Sequence, residues 1–294
     1  MTLKCDLQYG RGDAEYMLTR VGVKGVRKPI VVRREGLNGT LNNTLNCDID
    51  IFVDLPGSQK GSHMSRNVEV LNEVVDESIK NPITAIEDVA ADICRRLLVH
   101  HEYAQEAQVN IEAEYFRSSK TPLGRDTFES YTLLAGGHIE RDGEVTKMIG
   151  VEVLGMTACP CGQQTVTEML EIESEHPVMT HNQRNVCTLM VYMPEDVTVD
   201  ADDLIDLVEA SFSSPTYELL KRPDEGQVII NAHSNTKFVE DVVRSVLDNF
   251  VKRFPDLPDD VFIDVISDSE ESIHKHDAFA EREALLGELR MENQ

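Results

Sequence analysis

The chain has 294 residues, of which 41% are hydrophobic, so it can form two ordinary domains with a sizeable core. Its 28 Lys and Arg residues stand against 53 Asp and Glu residues, which gives a formal net charge of -25. An acidic surface repels nucleic-acid phosphates and anionic lipids, so we expect neither nucleic acid nor membrane as a partner. No apolar run is long enough to span a bilayer or to act as a signal peptide, which predicts a cytoplasmic protein.

In the first half of the chain, the predicted order is strand, helix, helix, strand. Hydrophobic residues alternate with period two at 45–56, which predicts a half-buried strand. Two helical patterns follow at 67–80 and 83–101, and three strand patterns follow at 108–116, 127–140 and 144–158. A turn at 141–143 is expected between the last two strands.

The second half repeats this order of elements. After a predicted loop at 158–183 come a strand at 185–194, helices at 201–213 and 236–254, and a strand at 260–267. The repeat concerns element order alone, because the two halves share no sequence identity that would support a duplication. An ordinary α+β protein with segregated helices is equally compatible with the pattern.

Two cysteines, Cys159 and Cys161, flank Pro160 directly after a predicted strand. The other four are Cys5, Cys47, Cys94 and Cys187. In a reducing compartment such cysteines are more often buried, metal-binding or catalytic than disulfide-bonded. For the Cys159 and Cys161 pair, the alternatives are a metal site, two small residues that close a strand, and a small, strained disulfide ring.

Further metal-ligand types lie beyond this pair in the sequence. His181 ends the same predicted connection, and Glu225, His233, His274 and His276 follow. The spacing completes none of the closed four-ligand zinc frameworks, which argues against a structural zinc finger. A mixed Cys, His and Glu site assembled from distant segments remains open, and a capping or surface role for His181 is the alternative.

Positive residues are scarce, so their grouping is informative. Lys60, His63 and Arg66 lie in a Gly- and Ser-rich segment between a strand and a helix, and Lys221 and Arg222 precede two acidic residues. A loop before a helix N-terminus suits a polyphosphate, although solvated loop charges explain either group equally well. The chain lacks the Gly-rich phosphate-binding motifs of the common nucleotide-binding folds and the G-x-S-x-G nucleophile motif.

Seven ordered motifs resemble those of one family. They are "VGVKGVRKPI", "IFVDLPGSQKGSHMSR", "GMTACPC", "HNQR", "LLKRPDE", "KFVED" and "ESIHKH". Together they resemble the type IB GTP cyclohydrolases, most closely the archaeal branch that serves tetrahydromethanopterin synthesis. The resemblance runs from about residue 20 to about residue 280.

The resemblance implies an α+β fold of two tandem tunnelling-fold domains, with antiparallel sheets and paired helices on one face. The implied N-terminal half is 1–157, and the implied C-terminal half, 158–294, carries the metal and substrate residues. It also implies a homo-oligomer, either a dimer or a dimer of dimers, with active sites at subunit interfaces.

The resemblance also implies the site residues. Cys159, His181, Glu225 and His274 match metal-binding positions, and Cys159 also matches a catalytic position. Glu240 and Glu271 match acidic positions of the substrate site, one anchoring the purine and the other transferring protons, in an order left open. The implied metal is Fe(II), and thiolate, imidazole and carboxylate ligands would also accept Zn(II) or Mn(II).

The implied substrate is GTP, whose imidazole ring opens by hydrolysis at C8 with release of formate. The archaeal branch implies 7,8-dihydroneopterin 2',3'-cyclic phosphate and diphosphate as products, whereas the bacterial branch gives dihydroneopterin triphosphate. Two rival classes are a non-catalytic purine- or pterin-binding protein of the same fold and a redox sensor that uses Cys159 and Cys161. Cys161 has no assigned role in the implied chemistry.

Overall fold

The structure, a computed structural model, describes residues 7–12, 14–36 and 39–292. Contacts between Cα atoms group the chain into two compact units. The first comprises 1–114, 133–149 and 192–198, and the second comprises 115–132, 150–191 and 199–294. The predicted boundary at 157/158 concerns the repeat of the fold, and it stays a prediction.

The first unit contains two long strands and a pair of helices. After a short 3-10 helix (Leu7–Tyr9) come strands β1 (Leu18–Gly36) and β2 (Gly39–Leu55), then helices α1 (Met64–Lys80) and α2 (Ile86–His100). Portions of β3 (Glu106–Lys120), β4 (Asp126–Glu140), β5 (Val145–Ala158) and β6 (Asn182–Pro194) belong to each unit. The strand order here is β1-β2-β3-β4-β5, and the β1-β2 and β2-β3 pairs are antiparallel.

Helices α1 and α2 bury one apolar face each. Val70, Leu71 and Val74 of α1 and Ile93 and Leu97 of α2 are buried, as their spacing of three and four residues predicts. At Gly137 on β4 a Cβ atom would lie 2.8 Å from the backbone of Ala90 on α2. The absence of a side chain therefore allows α2 to lie close against this strand.

A bulge interrupts the pairing of β1 with β2. The register shifts between Val23 and Val26, and Gly25 has a positive φ of 64° at that point. The Gly25 N–H donates to the Asp50 carboxylate at 2.8 Å. Glycine adopts this conformation without the steric cost that a Cβ atom imposes.

Among the described residues, the second unit packs five helices with the later strands. Its strands follow the order β3-β4-β5-β6 and then β8 (Phe262–Glu270) and β9 (Ala278–Leu285), and the two-residue strand β7 (Ser214–Pro215) pairs with β5. The buried core includes Leu189, Val208, Phe212, Val246 and Phe250. The helices of this unit are α3 (Pro160–Met169), α4 (Ala201–Glu209), α5 (Arg222–Ser234), α6 (Val239–Arg253) and α7 (Leu286–Glu292).

Most predicted elements are confirmed, and three positions that were expected in loops lie in helices instead. The expected loop at 158–183 contains α3, and the expected loop around Lys221 and Arg222 contains the start of α5. Pro at the first turn favours both helix starts because its fixed φ suits a helix and its missing N–H has no intrahelical partner there. Arg66, expected in a loop, lies in the first turn of α1.

No helix within the described residues is long and apolar enough to cross a membrane.

Candidate active site

The site begins where β5 ends and α3 starts. Cys159 is the N-cap of α3, and its Sγ accepts a hydrogen bond from the Gly162 N–H at 3.3 Å. The Cys159 N–H donates to the His181 carbonyl at 3.1 Å, and the Thr180 hydroxyl donates to the Cys159 carbonyl at 2.7 Å. The first hydrogen bond closes the turn at the start of α3, and the other two fix that turn against the residues that precede β6.

Gly162 allows the first turn of α3 to lie against the His181 ring. A Cβ atom at this position would lie 2.5 Å from the Thr180 hydroxyl oxygen. It would also lie 3.1 Å from Cδ2 and 3.5 Å from Nε2 of His181. The backbone at Gly162 therefore faces the Cδ2 and Nε2 edge of the imidazole, so the turn that begins at Cys159 lies beside the His181 ring.

The opposite edge of the His181 ring contacts two polar side chains. Gln183 Nε2 lies 2.7 Å from His181 Nδ1 and donates to Glu271 Oε2 at 3.2 Å. Glu271 Oε2 itself lies 3.7 Å from His181 Nδ1. The side chains of His181 and Glu271 are 16% and 14% exposed, so both are shielded while each keeps some access to solvent.

Gln183 is held by a buried polar network. The Thr157 hydroxyl donates to Gln183 Oε1 at 3.3 Å and lies 3.3 Å from the Ser269 hydroxyl oxygen. These residues belong to β5, β6 and β8, which are neighbours in the strand order. Because all three side chains are buried, their hydrogen bonds fix the rotamer of Gln183 and, through it, the orientation of the His181 ring.

Glu240 belongs to a segment that is tied to the Cys159 turn. The Lys237 N–H donates to the Ala158 carbonyl at 3.0 Å, immediately before Cys159. Glu240 then lies in the first turn of α6 and is exposed. A carboxylate in this position is accessible to a ligand and is favoured by the positive end of the helix dipole.

Glu225 and His274, the other two predicted metal ligands, are exposed. Glu225 lies in the first turn of α5, and His274 stacks on His276 with 5.1 Å between ring centroids. Among the described residues, three potential ligand atoms lie within 4.8 Å of one another in one group, and that group contains none of the four predicted ligands. The structure therefore brings Cys159 and His181 together but does not gather the four predicted ligands around one point.

The predicted substrate-binding cations fall into two groups. Lys221 and Arg222 are exposed at the start of α5, in the second unit. Lys60, His63 and Arg66 belong to the first unit. There the Arg66 guanidinium donates to the His100 carbonyl at 2.8 Å and to the Tyr9 hydroxyl at 3.1 Å, and the His63 ring lies 4.9 Å from the Tyr9 ring.

His233 and the three buried cysteines make contacts within the fold. His233 places Nδ1 2.8 Å from the Ile229 carbonyl of its own helix. Burial raises the pKa of the Cys47, Cys94 and Cys187 thiols to about 12, so these side chains stay protonated and make poor ligands. Cys5 lies outside the described residues. Cys159 and Cys161 are both free thiols, and Cys161 is exposed.

Sequence reasoning missed Gln183 and Gly162. Gln183 lies two residues after His181 at the start of β6, so the alternation of side chains along a strand places both on one face. That spacing was a usable signal. Gly162 left no such signal, because its importance depends on a close approach between segments that are distant in the sequence.

The residues present suit a first-row transition metal. A thiol, an imidazole and nearby carboxylates are the donor types that Fe(II), Zn(II) and Mn(II) accept in proteins. With the Gln183 amide nitrogen facing Nδ1, a neutral His181 ring accepts there and carries its proton on Nε2. Ligation through Nε2 needs the other tautomer, with the proton on Nδ1, and the Glu271 carboxylate oxygen Oε2 lies 3.7 Å from that nitrogen.

Known structures share the fold of this chain. Urate oxidase from Bacillus subtilis 168 superimposes with a TM-score of 0.53 at 12% identity, covering 91% of this chain and 98% of that one. A uricase from Bacillus fastidious gives a TM-score of 0.50 at 12% identity, covering 97% and 94%. At such identities the likeness concerns the fold alone, and the predicted α+β tunnelling fold is confirmed.

Sequence comparisons identify the family. The model of the family described as Type I GTP cyclohydrolase folE2 matches residues 5–280. GTP cyclohydrolase MptA of Methanothermobacter thermautotrophicus is 43% identical over 293 residues, which cover 94% of this chain and 91% of that protein. GTP cyclohydrolase MptA 1 of Methanocella arvoryzae is 41% identical over 303 residues, covering 98% and 95%. The chain is therefore an enzyme that belongs to the type I GTP cyclohydrolase folE2 family.

Proposed function

We propose that this protein is a type IB GTP cyclohydrolase that acts in tetrahydromethanopterin biosynthesis. It opens the imidazole ring of GTP, releases formate, and forms 7,8-dihydroneopterin 2',3'-cyclic phosphate and diphosphate. The observation that carries the proposal is the packing of His181 between the Cys159 turn and Glu271. The relatives named GTP cyclohydrolase MptA support the substrate and the pathway.

The proposed metal is Fe(II), held by Cys159 and His181 with Glu225 and His274 as further ligands. Bound there, the metal would supply Lewis acidity that activates water for hydrolysis near neutral pH. Within one chain Glu225 and His274 are exposed and do not complete the ligand group. We therefore include a homo-oligomer in the proposal, in which active sites at subunit interfaces gather ligands from two chains.

The two acidic residues have different surroundings, which assigns their proposed roles. Glu271 lies 3.7 Å from His181 and is largely shielded from solvent, which supports assigning it to proton exchange beside the reacting purine. Glu240 is exposed at the start of α6 and has a free carboxylate face for a ligand. We assign it to guanine, whose N1–H and 2-amino group can both donate to one carboxylate.

The triphosphate would be bound by positive side chains. Lys221 and Arg222 are exposed at a helix N-terminus, where backbone N–H groups also favour an anion. Lys60, His63 and Arg66 are the second proposed phosphate group. The hydrogen bonds of Arg66 to His100 and Tyr9 hold its guanidinium in place, so we expect it to act with a fixed orientation.

The proposal is tested by anaerobic incubation of metal-stripped protein with GTP and Fe(II), with and without a chelator. We expect formate release and pterin fluorescence after oxidation, both lost with the chelator. Zn(II) and Mn(II) are run in parallel to identify the preferred metal. The absence of formate with every metal would refute the cyclohydrolase proposal.

Product mass separates the two outcomes of ring rearrangement. A cyclic phosphate together with diphosphate supports the archaeal-branch reaction. Detection of dihydroneopterin triphosphate would instead support the bacterial-branch reaction, and the cyclohydrolase assignment would remain. Cys161→Ser should leave formate release unchanged, because the proposed reaction does not use Cys161. Loss of formate release in this variant would instead support a redox couple of Cys159 and Cys161.

A further inference from the structure

Three carboxylates converge on one face of the β8-β9 hairpin. The strands are antiparallel, and their register pairs Asp264 with Glu283 and Ile266 with Glu281. Side chains of directly opposed residues and of next-but-one residues share a face of a sheet. One oxygen from each of Asp264, Glu281 and Glu283 lies within 4.8 Å of the other two.

Asp264 is unusual because one of its carboxylate oxygens is buried without a hydrogen-bond partner. The residue is 7% exposed, and its Oδ1 atom is buried with no hydrogen-bond partner. Ion pairs between the described residues do not involve Asp264, Glu281 or Glu283. Burying an unpaired carboxylate is costly, so such a group requires either a proton or a positive ligand.

The electrostatic surroundings point the same way. Burial, followed by the charges of Glu281 and Glu283, raises the pKa of Asp264 to about 6. Glu281 and Glu283 are exposed, so the group is open to solvent on one side. A cation could therefore enter from the solvent and neutralise the buried carboxylate.

We propose that Asp264, Glu281 and Glu283 bind a hard divalent cation of the Ca²⁺ or Mg²⁺ class. Three carboxylates with no thiol or imidazole are the ligand set that such cations prefer. Oxygen ligands lie about 2.4 Å from Ca²⁺, so two of them on opposite sides of the ion are separated by about 4.8 Å at most. The three oxygens lie within 4.8 Å of one another, as Ca²⁺ requires, and water would complete the coordination.

This site is separate from the proposed Fe(II) site. It uses none of the residues assigned to Fe(II) or GTP, and its donors are all oxygen atoms. Its occupant would link β8 to β9 and offset the repulsion between their carboxylates. Failure of the cyclohydrolase assay would leave this site untouched, and failure of Ca²⁺ and Mg²⁺ binding would leave the cyclohydrolase proposal untouched.

The test is isothermal titration of metal-stripped, full-length protein with Ca²⁺ and, separately, with Mg²⁺. We expect one ion per chain for the unaltered protein and at least a tenfold weaker affinity for Asp264→Asn. The matched control is Asp268→Asn, which removes the same charge from an exposed position on the same strand. Unaltered affinity in Asp264→Asn, or no binding of either ion to the unaltered protein, would overturn the proposal.

Thermal unfolding gives a second readout. Ca²⁺ should raise the Tm of the unaltered protein and of Asp268→Asn by similar amounts, and it should raise the Tm of Asp264→Asn by clearly less. If Asp264→Asn does not fold, Glu281→Gln and Glu283→Gln replace it, because both residues are exposed. An equal Ca²⁺-induced shift of Tm in those variants and in the unaltered protein would also overturn the proposal.

Discussion

His101 and His181, one in each compact unit, show what distinguishes a structural histidine from one suited to a site. His101 is fully buried, and its Nε2 lies 2.6 Å from Asn67 Oδ1 while its Nδ1 lies 2.8 Å from the Tyr103 hydroxyl oxygen. Burial, helped by the charge of Arg66, lowers the pKa of His101 to about 4. Both nitrogens are therefore committed, and the ring stays neutral.

Among the described residues, His181 contacts polar side chains through one edge of its ring only. Its Nδ1 contacts Gln183 and lies near Glu271, whereas its Nε2 edge faces the glycine turn beside Cys159. The side chain is 16% exposed. A histidine suited to a ligand role therefore differs from a structural one by an uncommitted ring edge beside other donor groups, rather than by burial or hydrogen bonding alone.

The largest expected effect comes from removing the accessible histidine. His181→Ala should lower kcat for formate release by at least roughly 1,000-fold, because it removes a group assigned to the reacting centre. It should also lower the bound Fe(II) per chain, measured by metal analysis after anaerobic loading. Because His176 is exposed, His176→Ala makes the same change outside the site and should retain both properties. Normal turnover in His181→Ala would remove His181 from the site.

Gln183 allows the orientation of His181 to be tested without removing the ring. Gln183→Leu deletes the contacts to His181 Nδ1 and Glu271, so the Fe(II) affinity should fall by about 10- to 100-fold. Anaerobic metal titration measures this directly. Gln164→Leu is the matched control, since Gln164 is exposed on α3 and contacts Glu168. Equal losses in the two variants would contradict an orienting role.

His101 should make the stability of the protein sensitive to acid. Its pKa is lowered to about 4 in the folded state, so between about pH 6.5 and pH 4 the unfolded state binds a proton that the folded state does not. Stability therefore falls as the pH falls through this window, by up to about 3 kcal/mol from this residue. Urea unfolding at several pH values measures the slope.

In His101→Gln the slope between pH 6.5 and pH 4 should flatten, even if the variant is less stable at pH 7 because it loses contacts. His176→Gln is the control, and its slope should match that of the unaltered protein because the side chain is exposed. A steep slope that persists in His101→Gln would assign the acid sensitivity to other groups.

Amphipathic segments were the predictable part of the fold. The α1, α2 and α6 patterns place apolar residues on one face, and the structure buries those faces. Helix α3, by contrast, has no buried residue and α5 has few, so neither has a hydrophobic stripe to detect. Strand β1 was not predicted, because Gly, Lys and Pro interrupt its alternation of apolar and polar residues. Its long antiparallel pairing with β2 stabilises the strand instead.

Residue type made part of the candidate site predictable from the sequence, whereas contacts between side chains on different strands were not predictable. Cys159 and His181 stand out because both are metal-ligand types at the two ends of one predicted connection, and the family motifs assign both to the metal. The contact of Gln183 with Glu271 joins β6 to the end of β8, which no local pattern indicates. Asp264 sits within an apolar run, and its relation to Glu283 exists only in the register of β8 with β9.

The smallest expected effect concerns Lys221, which is exposed at the start of α5. If it contacts the triphosphate, Lys221→Ala should raise KM for GTP by about two- to fivefold with kcat unchanged, because an exposed ion pair contributes roughly 0.2–1 kcal/mol. Steady-state kinetics at two salt concentrations should show a smaller difference at high salt, where the interaction is screened. Lys252→Ala removes an exposed lysine that pairs with Asp248 on α6, and it should leave KM unchanged. An equal KM in the Lys221 variant and the unaltered protein would show that Lys221 does not bind the triphosphate. That result would not affect the role proposed for His181.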